Sequence, residues 1–300
     1  MVTTSSEPRR HHYIPQWYLR QFGTRDEIAV FDKSTGLVEV RRPRDVAFEI
    51  GFYDIDHPDL PRTAFETVLG NVENHAANAV RKLLDQGLDS LTSDQHEDLA
   101  AFVVTLQVRV PSARPAIENH LRVRLDRIRA QLPEDELRAM AGRDLTAEEI
   151  AAVRRPSPDA ALPEGVMPYG VALALGSFVD QLLTDYDWSV VEVEPAQLIS
   201  CDTPLKVLSE HHDGESSFVA ELPLDQSHVL LLRSGPGGPM LVERGGWDGW
   251  FLDERTGRPA LNLFQKFALM KAERYVFGHP DNPLWSEIAA PGTSRADPAA

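Results

Sequence analysis

The residues best suited to proton chemistry stand together near the start of the chain, in His11-His12-Tyr13-Ile14-Pro15-Gln16-Trp17-Tyr18-Leu19-Arg20-Gln21-Phe22. Imidazole is the side chain that gains and loses a proton near neutral pH. Pro15 restricts the backbone, so one ring can be held facing inward. Neighbours on an extended chain point to opposite sides, and His11 and His12 are therefore not expected to bind one metal together. Both are candidates for acid–base work, with Gln16 and Arg20 placed to hold a substrate. The structural alternative is an N-terminal cap, in which Tyr13, Ile14, Trp17, Tyr18, Leu19 and Phe22 are buried and the histidines satisfy backbone groups.

Three further groups join this candidate set. Glu66 and Glu73 are seven residues apart, about two helical turns, and share one side of a helix with Gly70 between them. Small residues there leave room for a ligand. The two carboxylates are expected either to bind a divalent metal with Asp202 and an N-terminal histidine, or to act as acid and base. The alternative is a structural ion pair with Arg109. Asp202 follows Ser200-Cys201 where an apolar strand ends, a usual place for a catalytic group, although an Asx-type turn would use the same residue. A nucleophilic role for Ser200 or Cys201 requires a histidine in reach and, for the thiol, a lowered pKa. Arg109 and Tyr53 complete the expected substrate contacts.

The elements that must position these residues follow from periodicity. Glu27–Phe31 and Gly36–Val40 flank a polar loop and read as a β-hairpin. Thr63 with Glu66 suggests a capping box, and Phe65, Leu69, Val72, Ala76, Val80 and Leu83 then form one apolar helical face that stops at Gly87. Helices are expected from Ser93 to Val110 and from Ala116 to Leu132. A Pro-rich helical excursion should occupy 133–168, with Thr146-x-x-Glu149 as a second helix start, followed by a helix over 169–186. Strands are expected at 188–194, 197–201, 218–224, 227–233, 240–243 and 273–277, and a helix at 263–271. Helices first and strands later give an α+β protein: an N-terminal hairpin and helices, a helical middle, then a mostly antiparallel or mixed sheet. Residues 11–290 are expected to form a single domain between disordered ends at 1–10 and 291–300.

The opening motif resembles the signature of an uncharacterised microbial family, domain of unknown function 4238. Further echoes occur in order: Phe52-Tyr53, Phe65-Glu66 with Glu73, Leu99 to Phe102, Arg109 to Arg114, Leu198 to Leu205, Glu221 to Leu224, Leu261-Asn262 and Arg274 to Phe277. Together they span roughly residues 9 to 280. The family pattern usually has Ser where Cys201 stands, which argues against a required thiol. The resemblance implies no established activity.

Composition narrows the classes. With 30 Lys+Arg against 46 Asp+Glu the chain carries −16, which opposes passive coating of nucleic acid or of anionic membrane. Nucleic acid stays possible as a partner without being indicated by that charge. One cysteine rules out an internal disulfide framework and an iron–sulfur cluster. No apolar run of about 18 residues is present, so no spanning helix and no membrane partner are expected, and the protein reads as soluble and cytoplasmic. Six arginines lie between 109 and 129 against Glu118 and Asp126; they are expected to pair with the acidic excursion, the alternative being a phosphate-bearing substrate. The first expectation is a hydrolase acting on a phosphate ester or nucleic acid around a divalent metal ion. The alternative is a non-catalytic ligand- or partner-binding protein with a buried polar network.

Overall fold

The computed structural model describes residues 10–55, 59–156, 162, 165–193, 197–212, 215–234 and 261–289. The expected disordered ends, apart from Arg10, and the expected strand at 240–243 lie outside them. Within them the protein is α+β, and every paired strand is antiparallel. Strand β1 (Arg10–His12) leads through Pro15 into the short helix α1 (Gln16–Arg20). Strands β2 (Ile28–Asp32) and β3 (Leu37–Arg41) form the expected hairpin. Its loop is closed by the Asp32 carboxylate, which accepts from the Ser34 amide at 2.9 Å, and by Gly36 at φ +70°. Strand β4 (Phe48–Ile50) returns to pair with β1, placing His11 opposite Glu49.

The helical middle comprises α2 (Ala64–Gln86), α3 (Ser93–Val108), α4 (Arg114–Gln131), α5 (Glu134–Ala141), α6 (Ala147–Arg154) and α7 (Val166–Asp185). Thr92 with Gln95 and Thr146 with Glu149 make complete capping boxes, so α3 and α6 start where side chains satisfy their first amides. At α2 the expected box is absent, because the Thr63 side chain makes no cap bond and the Glu66 carboxylate lies beside His11. Helix α7, 20 residues long, holds an 18-residue window of mean hydropathy 1.4, long and apolar enough to cross a membrane by length and composition alone. It packs on α3 and α4 and buries Met167 and Val171 in the main core.

The α4–α7 contact depends on a missing side chain. A Cβ at Gly170 would stand 2.3 Å from Ile117 Cγ2, closer than van der Waals contact permits. Gly170→Ala should therefore cost about 1–3 kcal/mol in urea unfolding, and Ile117→Ala in the same chain should recover part of it. An unchanged midpoint would show that the two helices separate at no cost.

Among the described residues, two arginines of α4 find carboxylates inside their own helix. Arg114 and Arg129 pair within their own helix, with Glu118 and Asp126, while Glu134 and Glu149 pair with Arg138 and Arg143. Partners three to six residues away in the chain are reached without ordering a second element.

Beyond α7, strands β5 (Asp187–Glu192), β7 (Lys206–His212), β8 (Glu215–Pro223) and β9 (His228–Ser234) form one sheet in the order β5-β9-β8-β7. Strand β7 is not among the expected strands. Strand β6 (Ser200–Cys201), helix α8 (Leu261–Lys271), strand β10 (Tyr275–Gly278) and helix α9 (Leu284–Ile288) complete the fold. Strand β10 inserts between β2 and β6, giving the order β3-β2-β10-β6. One apolar core joins the two ends of the chain: Tyr13, Ile14, Tyr18, Leu19 and Phe22 pack with α2, α3, α7, β8, β9 and Phe277.

Candidate functional site

A cleft of about 330 Å³ is lined by His12, Gln16, Trp17, Arg20, Glu66, Leu69, Gly70, Glu73 and Arg109. Its wall is built from β1, α1, one face of α2 and the C-terminal end of α3. Helix α1 is held in place by Tyr18, whose hydroxyl donates to Pro223 O at 2.7 Å and meets Ser200 Oγ at 2.9 Å. With its only proton committed to Pro223, Tyr18 accepts from Ser200.

Behind the cleft lies a closed polar circuit. Arg109 is 1% exposed. Its Nη1 donates to Glu73 Oε1 at 2.8 Å and its Nη2 donates to the backbone oxygen of His12. The Tyr53 hydroxyl donates to the Arg109 carbonyl, and the Tyr53 amide donates to His11 Nδ1, both at 2.8 Å. His11 and His12 are consecutive, so the circuit returns to β1. Burial raises the Tyr53 phenol well above its usual range, keeping it a donor.

Because His11 Nδ1 accepts a hydrogen bond, the neutral ring carries its proton on Nε2. That atom is buried and has no hydrogen-bond partner; Asp54 Oδ1 and Glu66 Oε1 stand at 3.7 and 3.8 Å. Desolvation, helped by the charge of Glu73, raises the Glu66 pKa against the opposing pull of His11 and Arg109. His12 has a different environment. Its Nε2 lies 3.2 Å from Arg44 O and its Nδ1 lies 3.5 Å from Gln16 Nε2. Desolvation lowers its pKa, which favours the neutral ring.

The structure thus gathers His12, Gln16, Arg20, Glu66, Glu73 and Arg109 at one cleft, with His11 and Tyr53 directly behind it. Asp202 does not line the cleft. It is 4% exposed, and its carboxylate accepts from the amides of Glu273, Arg274 and Tyr275 at 2.7–2.8 Å. With its oxygens meeting three backbone donors, it clamps the approach to β10. The nucleophile expectation fails on packing. Cys201 is buried among Ala29, Ile199, Val276 and Trp285, and burial pushes its thiol up to about 11. Ser200 points its proton at a tyrosine.

Among the described residues no group of three or more His, Cys, Asp or Glu side chains could hold a metal ion. Glu73 is engaged by Arg109, and Glu66 lies beside an imidazole. A second buried pair, Lys206 Nζ to Glu221 Oε1 at 2.6 Å, joins facing residues of β7 and β8. Two cleft-side residues escaped the sequence reading. Trp17 reads in the sequence only as a core aromatic, and Asp54 carries no signal beyond its place after Tyr53.

An α+β protein whose cleft is framed by a buried arginine is the class that fold and site define. The chain belongs to the family described as protein of unknown function (DUF4238), whose profile matches residues 10–281. Neither the curated proteins nor the solved structures contain a match to it.

Proposed function

We propose that the protein binds a small polar molecule in the cleft between α1 and α2, with the Arg109 circuit as its frame. The observation that carries this reading is Gly70. It sits in the interior of a 23-residue helix, on the cleft wall, and nothing lies within 4 Å of where its Cβ would be. A glycine in a helix interior costs roughly 0.8–1 kcal/mol relative to alanine. No packing partner explains it, whereas the entry of a ligand between Glu66 and Glu73 would.

Binding is favoured over metal-dependent hydrolysis of a phosphate ester or nucleic acid by how the polar groups are spent. Arg109, expected to grip an anion, uses two of its nitrogens on Glu73 and His12, and Asp202 is committed to backbone amides. A second reading, acid–base chemistry on the bound molecule, is favoured by one observation. Glu66 and His12 line the same cleft with their pKa values displaced in opposite directions by burial.

Two substitutions test the assignment. Gly70→Ala should stabilise the protein by about 0.5–1 kcal/mol in urea unfolding. Gly70→Leu should fold as well and fill the cleft. A screen of small polar molecules by thermal shift should then find compounds that stabilise the wild type and leave Gly70→Leu unmoved. Equal shifts in both proteins would place the binding elsewhere.

A further inference from the structure

The charges lining the cleft are neutralised unevenly. Arg109 is paired with Glu73 at 2.8 Å. Arg20 donates through Nε to Asp26 at 2.8 Å and through Nη2 to Gln16. Next to the cleft, Asp54 faces Arg62 at 3.2 Å. Glu66 stands apart from these pairs. Its only ion-pair contact among the described residues is with His11 Nε2 at 3.8 Å, beyond hydrogen-bond length, and its side chain is 39% exposed. His12, whose pKa is lowered by desolvation, supplies no counter-charge at neutral pH. Of the two carboxylates that line the cleft, Glu66 is therefore the one without a hydrogen-bonded cation.

The same pairing of Arg109 with Glu73 disfavours an anion. To reach Arg109, a phosphate or carboxylate would have to displace Glu73 from a guanidinium that is almost wholly buried, leaving one carboxylate stranded. The unpartnered Arg109 Nε and Trp17 Nε1 are closed off from solvent and offer nothing to an entering molecule. What an entering molecule does meet is one carboxylate, the bare helix at Gly70, and the apolar surfaces of Trp17 and Leu69. A volume near 330 Å³ lies at the small end of ligand sites.

We infer that the cleft receives a small organic cation, an ammonium or guanidinium on a short apolar body. Glu66 accepts the charged group, while Trp17 and Leu69 cover the body. The inference rests on the binding reading above and names the chemistry of its ligand. The Trp17 indole adds to the fit, because an aromatic face attracts a cation as well as an apolar group.

Calorimetric titration with benzylammonium, methylguanidinium, phenyl phosphate and inorganic phosphate tests it, using wild type, Glu66→Gln and Gly70→Leu. The two cations should bind the wild type, at least tenfold more weakly to Glu66→Gln, and not at all to Gly70→Leu; the phosphates should not bind. Glu66→Gln should melt no lower than wild type, since burial already penalises the Glu66 charge, so lost binding cannot be read as lost folding. Cation binding that Glu66→Gln leaves unchanged would overturn the role of Glu66. Phosphate binding that only Gly70→Leu abolishes would overturn the cation while sparing the cleft. Failure of all four probes to bind in a manner sensitive to Gly70→Leu would remove both.

Discussion

Arg109→Met should lose about 3–5 kcal/mol of folding stability, because it leaves the other half of a buried ion pair without its partner. The side chain is 1% exposed and ties α3 to α2 through Glu73 and to β1 through the His12 carbonyl. Methionine fills part of the volume and supplies no donor. Lysine keeps the charge but cannot reach both acceptors with the geometry of a fork, so Arg109→Lys should lie between wild type and Arg109→Met. Urea unfolding of the three proteins measures the order. A double substitution with Glu73→Gln should cost less than the sum of the single ones, since the stranded carboxylate is removed. A loss under about 1 kcal/mol for Arg109→Met would show that the circuit contributes little and that the cleft is framed by packing alone.

Asp202→Ala should be comparably damaging, at about 3–5 kcal/mol, and for a reason unrelated to catalysis. Three consecutive amides, those of Glu273, Arg274 and Tyr275, would lose a charged acceptor at once in a buried place. Asp202→Asn keeps one carbonyl oxygen and should retain part of the clamp. Hydrogen exchange gives the specific readout, with the amides of 273–275 exchanging faster in Asp202→Ala than the rest of β10 does. An Asp202→Ala protein of wild-type stability that had lost ligand binding would return this residue to the functional site.

These two residues mark where a sequence can be read and where it cannot. The long helices are legible because Phe65, Leu69, Ala76, Val80 and Leu83 repeat at the helical period and do end up buried. Most of the cleft is legible for the same reason. Glu66, Gly70 and Glu73 share a face by helical geometry alone, and the histidine motif is unusual enough to draw notice. Asp202 is not, because a carboxylate at a strand end looks alike whether its acceptor sites meet a ligand or meet amides some 71–73 residues further on. The β1–β4 pair is missed since three-residue strands are too short to show alternation. Strand β7 is hidden by Lys206, a charged residue whose burial is licensed only by Glu221 directly across the ladder. At Glu66 a capping-box spacing is present, yet Thr63 makes no cap bond and the carboxylate lies at the cleft, 3.8 Å from His11. Local pattern loses wherever a distant partner decides.

The central position of β10 has a consequence for how the protein is made. A ribosome delivers β2 and β3 early, yet the strand that completes their sheet is the last one described, at residues 275–278. Until it emerges, β2 has an open edge, and the Tyr18 anchors of α1, Ser200 and Pro223, are themselves made only after the helical middle. The cleft residues near the start of the chain are therefore translated first and assembled last. During that wait an exposed edge strand is a template for pairing with other nascent chains. Slowing synthesis would lengthen the exposure, and a chain cut short before residue 275 would never end it.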